Sequence, residues 1–126
     1  MTTNKRAAAI GGVVLGLLLA TAGGHAWSGS RSMLTFSGAV ALPSGTIGAG
    51  TYTFEVVNPE SGSNIVSVRT KGRVCYLGFT NRIERPRDMR ADRLISLGES
   101  QMGVAPPVLA WYPAGDTRGF EFIYKR

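Results

Sequence analysis

Five arginines, Arg82, Arg85, Arg87, Arg90 and Arg93, fall within twelve residues of a 126-residue chain. Guanidinium is always charged and presents a planar fork that matches carboxylate and phosphate oxygens. Glu84, Asp88 and Asp92 interleave with them and leave the segment at net +2. Two readings follow. One is a solvated loop whose charges pair among themselves. The other is an anion-binding edge for a lipid headgroup, a phosphorylated envelope glycan or an acidic protein. The segment lacks the interleaved aromatics on which bases stack, so nucleic acid is not an expected partner.

Catalytic chemistry has little material. A hydrolytic triad needs a base that titrates near neutrality to activate serine or cysteine. His25 is the only histidine, and it lies in the expected signal peptide. Lys71 sits in a turn and Lys125 at the end of the chain, poor places for a Ser–Lys pair. Cys75 is alone among apolar neighbours, where a thiol stays protonated and serves as a small core residue. Paired carboxylates could hydrolyse a glycoside, but Glu55, Glu60, Glu84, Asp88, Asp92, Glu99, Asp116 and Glu121 mostly fall in loops or beside arginines. Transition metals ask for His or Cys clusters, and calcium for several oxygens converging from one loop. Neither pattern is present, and no cofactor is expected. Trp111, Tyr112, Phe120, Phe122 and Tyr124 invite a sugar platform, as does Trp27. Trp111 within a strand reads instead as core, because a buried indole supplies a large apolar area.

The elements that must carry these residues begin after a targeting segment. Lys5 and Arg6 precede an apolar run from Ala7 to about Ala22, and Gly24 and Ala26 place small side chains at −3 and −1 of a cut after residue 26. This is the three-part secretory pattern. The run is shorter than the ~20 apolar residues that span a bilayer; an uncleaved membrane anchor is the competing reading. The expected organisation is a signal peptide over 1–26 and one domain over 27–126, periplasmic or secreted. A lone cysteine gives no intramolecular disulfide, so the domain stands on packing. Losing Lys5 and Arg6 lowers the net charge from +6 to +4, a mild preference for anionic partners.

Glycine and proline punctuate the domain every eight to twelve residues, the spacing of an antiparallel β-sandwich or barrel. About seven strands are expected and almost no helix beyond the signal segment. Tyr52, Phe54 and Val56 alternate most cleanly. Leu34–Val40 precedes them, and Pro43–Gly50 reads as a turn. Asn58–Ser63 is a loop by its chemistry. Ile65–Arg69 and Val74–Phe79, joined at Lys71-Gly72, read as a hairpin. The second of these runs is apolar on both faces and should be central. Asn81–Asp92 has room for one helical turn, which Pro86 interrupts. Leu94–Leu97, Val108–Tyr112 and Phe120–Tyr124 complete the set.

Leu34-Thr35-Phe36-Ser37, Ala49-Gly50-Thr51-Tyr52-Thr53-Phe54-Glu55, and above all Ala110-Trp111-Tyr112-Pro113-Ala114-Gly115 with Gly119-Phe120-Glu121-Phe122-Ile123-Tyr124 carry a resemblance. Across nearly the whole mature chain the sequence resembles a family of small exported bacterial β-domain proteins with no assigned function. Gly48 stands where that pattern has proline. The resemblance implies export and a β fold, and brings no active site. The expected function is a non-enzymatic envelope or extracellular module that binds or assembles. The alternatives are a small-ligand carrier with an interior pocket, or a carboxylate-based glycan-active enzyme. A deep apolar pocket favours the carrier; a filled core with an exposed face favours the module.

Overall fold

The computed structural model describes residues 31–125, and the signal-peptide reading with Trp27 lies outside them. Nine strands follow: β1 (Arg31–Phe36), β2 (Val40–Leu42), β3 (Gly45–Ile47), β4 (Gly50–Val56), β5 (Ile65–Thr70), β6 (Arg73–Glu84), β7 (Ile95–Leu97), β8 (Val108–Trp111) and β9 (Arg118–Phe122). Seven of them form one sheet in the order β1-β4-β5-β6-β9-β8-β7, and β2 and β3 form a separate small hairpin. Every pairing in the large sheet is antiparallel. The sheet curls into a half-barrel, so the expected all-β fold takes the barrel-like form.

The curl is built on one face of each strand. Leu34 and Phe36 of β1, Tyr52, Phe54 and Val56 of β4, Val66 and Val68 of β5, Tyr76 of β6, Phe120 and Phe122 of β9, and Trp111 of β8 are all buried. Their period of two puts them on the concave side. Phe54 lies at the centre, 5.8 Å from Trp111 and 6.2 Å from both Phe36 and Phe122 between ring centroids. Trp111 stacks on Phe120 at 5.4 Å. The expectation for Trp111 holds: it is 0% exposed.

Strand β6 organises the rest. Its first part pairs with β5 and its last five residues, Thr80–Glu84, pair with β9. It is therefore longer than the apolar pattern suggested, and no helical turn follows it. Lys71 and Gly72, at φ 51° and 77°, make the tight turn into it. Two positive φ values in succession match the right-handed twist of a two-residue hairpin. Gly78 lies on the concave side beneath the Tyr76 ring, where a Cβ would come 2.5 Å from the phenol oxygen.

Two corrections follow. Pro43–Gly50 is not a plain turn: Gly45–Ile47 pairs back on Val40–Leu42, because only Pro43-Ser44 is needed to reverse the chain. Val74–Phe79 is central in the sheet yet not covered on both faces. Its convex side chains, Val74, Leu77 and Phe79, are exposed by 59%, 61% and 68%.

Candidate functional site: two cationic surfaces

The arginine-rich segment runs from the end of β6 to the start of β7, and its five guanidiniums meet four different environments. Arg82 lies within β6 opposite Phe120. Its guanidinium sits 4.5 Å from the Phe120 ring centroid, and its Nη2 donates to Asp116 Oδ2 at 3.3 Å. Its Nε is buried without a partner among the described residues.

Arg85 turns back on its own loop. Its Nη2 lies 2.6 Å from the Arg90 carbonyl, 2.7 Å from that of Arg93 and 3.1 Å from that of Ala91. Charge-assisted bonds of this kind are the stronger ones. The same guanidinium lies 5.5 Å from the Tyr112 ring centroid. That ring rests on Gly119, where a Cβ would collide with Tyr112 Cδ1 and come 2.8 Å from the Trp111 carbonyl. The Trp-Tyr and Gly-Phe segments thus have a physical reading: Trp111 and Phe120 stack inside the curl, while Tyr112 covers Gly119 and supports the arginine above it. Burial raises the Tyr112 phenol above its ordinary pKa of 10, while the Arg85 charge acts the other way.

Arg90 grips Asp92 with two bonds of 3.2 Å, both side chains well exposed. Arg87 and Arg93 are exposed and have no carboxylate partner among the described residues. The structure therefore keeps the five arginines in one segment without pooling their charge. Three are engaged by the protein itself.

A second cationic surface lies on the convex side of β4 and β5 and at the β5–β6 turn, and the sequence reading passed over it. An open cleft there is lined by Arg31, Thr53, Glu55, Arg69, Thr70, Lys71 and Gly72. Strand register assembles it, since Arg31 stands opposite Glu55 and Thr53 opposite Arg69. Arg31 donates to Glu55 at 3.2 Å. Arg69, Lys71 and Arg73 are exposed and have no carboxylate partner among the described residues. The visible signal was Arg69-Thr70-Lys71-Gly72-Arg73, three cations without an acid, running directly into a strand that is apolar on both faces.

The residues weighed for catalysis are dispersed. Glu55, Asp116 and Asp92 pair with Arg31, Arg82 and Arg90, and Glu121 accepts from the Asn81 amide at 3.3 Å. Among the described residues no group of three or more His, Cys, Asp or Glu gathers as metal ligands. Cys75 is partly buried rather than fully so. It sits where the β5–β6 register slips, since Val68 pairs with Tyr76 and Arg69 with Val74. Among the described residues no helix is long and apolar enough to cross a membrane. The chain matches no protein-family model, no curated protein and no solved structure.

Proposed function

We propose that this chain is an exported, non-enzymatic binding module of the bacterial envelope that engages an anionic partner through the outer surface of its sheet. The observation that carries the reading is the set of exposed cations, Arg69, Lys71, Arg73, Arg87 and Arg93, that have no carboxylate partner among the described residues. Exposed charges left unneutralised raise the local concentration of anions and speed their encounter. The packing favours a module over a carrier. The concave face is occupied by Phe36, Phe54, Trp111 and Phe120, each at most 2% exposed, so the chemistry available to a partner lies outside. The resemblance to small exported β-domain proteins supports export.

The exported form should be retained on immobilised polyphosphate near physiological ionic strength and elute as salt rises, since exposed charges are screened beyond a Debye length of ~8 Å. Flow-through under those conditions rejects the anionic-partner reading. Release of new reducing ends from envelope glycan by the pure protein rejects the non-enzymatic one. N-terminal sequencing of the exported form should begin at Trp27. A start at Met1 or Thr2 in the membrane fraction would mean a retained anchor.

A further inference from the structure

The convex face of β5 and β6, continued by Ile123 after β9, carries an apolar strip beside the cationic cleft. We infer that this face docks on an anionic lipid surface. The inference rests on the anionic-partner reading above, and adds the location and the chemistry of the partner.

The strip is continuous in register. Arg69 stands opposite Val74, Ser67 opposite Leu77, and Ile65 opposite Phe79. Ile123 follows the Phe122–Thr80 pair and is 48% exposed. Large apolar side chains exposed together are unusual on a soluble surface and mark a contact site. Arg69, Lys71 and Arg73 flank the strip at its Val74 end. At the other end Asn81 and Glu121 satisfy each other at 3.3 Å. The face therefore has apolar side chains that can enter an acyl boundary and cations beside them at headgroup level, the composition of interfacial membrane binders.

Two observations favour lipid over the other occupants. First, β6 has a strand on each side, β5 and β9, so its backbone is already paired and an incoming strand cannot add there. A partner must lie flat on the face, and a fluid surface does so without shape complementarity. Second, a second copy would bring the same excess of positive charge, +6 for the full chain, against itself.

The test uses the exported form with phosphatidylcholine vesicles containing about one-third phosphatidylglycerol, pure phosphatidylcholine vesicles, and soluble polyphosphate. The protein should sediment with the anionic vesicles and not with the neutral ones. Each basic residue near an anionic leaflet is worth about five-fold in partitioning, so Arg69→Gln, Lys71→Gln and Arg73→Gln together should lower it about 100-fold. Leu77→Thr with Phe79→Thr should lower it at least ~10-fold, with threonine preserving the preference for a strand. The apolar variant should keep its thermal midpoint and its binding to polyphosphate. If it sediments as the parent does, the apolar strip is not the contact and the inference fails. If the parent binds polyphosphate but no vesicle, the lipid inference fails and the anionic-partner reading stands. Binding to neither rejects both. Concentration-dependent dimerisation that the Leu77/Phe79 variant abolishes, without vesicle binding, assigns the strip to a second copy and overturns the lipid inference.

Discussion

In the loop between β6 and β7, Arg85 reaches three carbonyls of its own segment and Arg90 closes on Asp92. At the β5–β6 turn, Arg69, Lys71 and Arg73 meet no carboxylate among the described residues. The two regions are both cationic in sequence, yet one has turned part of its charge inward to hold a loop whose backbone has turn bonds, such as Met89 N–H to the Pro86 carbonyl, but no strand pairing. The other needs no such support, because strand pairing already satisfies its backbone. A loop draws on its side chains for structure, whereas a hairpin leaves them available.

This contrast can be broken or sharpened by substitution. Gly119→Ala should have the largest effect, about 3 kcal/mol of lost stability in urea denaturation. The new methyl group would meet the Tyr112 ring and the Trp111 carbonyl, and the carbonyl cannot move aside. The ring would shift and Arg85 would lose its support. Arg85→Gln should cost about 2 kcal/mol, since it removes charge-assisted bonds to the Arg90, Ala91 and Arg93 carbonyls. A loss comparable to that of an ordinary surface substitution would mean that Arg85 does not hold the loop.

Alkaline titration separates the two regions next. The phenols of Tyr52, Tyr76, Tyr112 and Tyr124 are all raised, chiefly by burial, and Tyr124 is pushed up to about 12. Because folded tyrosines hold their protons longer than unfolded ones, this contribution to stability is fully present below pH ~10. It is lost as the pH climbs from there through about 12. Arg85 favours the ionised form of Tyr112. Arg85→Gln should therefore move part of the tyrosinate absorbance to higher pH, and Arg69→Gln should leave the curve in place. The smallest effect belongs to the hairpin: Arg69→Gln, Lys71→Gln and Arg73→Gln together should change unfolding free energy by less than about 0.5 kcal/mol. A larger loss would place those cations in the structure rather than at its surface.

The sequence made the concave face legible and the convex face much less so. Tyr52, Phe54 and Val56 announce themselves because one side of β4 is buried and the other is polar, which is the condition for a period of two. Trp111 was readable for a different reason, the large apolar area that a buried indole supplies. In β6 that condition fails. Val74, Leu77 and Phe79 are apolar on the solvent side, so the pattern reads as a strand covered twice. The last residues of β6 were missed because Asn81, Arg82 and Glu84 look like a loop. They are strand because β9 supplies their partners, which is information held about forty residues away. The arginine loop drew attention by density, but density along a chain does not report how much charge local carbonyls and carboxylates occupy.

The Tyr124 phenol lies 2.6 Å from the Val108 carbonyl and 3.0 Å from that of Ala41. Ala41 belongs to the small hairpin, whose backbone N–H also donates to the Pro106 carbonyl at 2.9 Å. Tyr124 therefore ties the stretch that follows β9 to a segment 83 positions earlier. Phe120 and Phe122, which complete the aromatic cluster around Phe54, arrive equally late. A chain that emerges N-terminus first can pair β1, β4, β5 and the first part of β6 as they appear, but it cannot cover Phe54 or Tyr76. Vectorial synthesis thus delivers an open sheet with its aromatic face bare until Phe120, Phe122 and Tyr124 have emerged. Closure then comes in one late step dominated by long-range contacts, the kind that folds slowly. During that interval the growing chain is vulnerable to aggregation and correspondingly easy for a chaperone to hold.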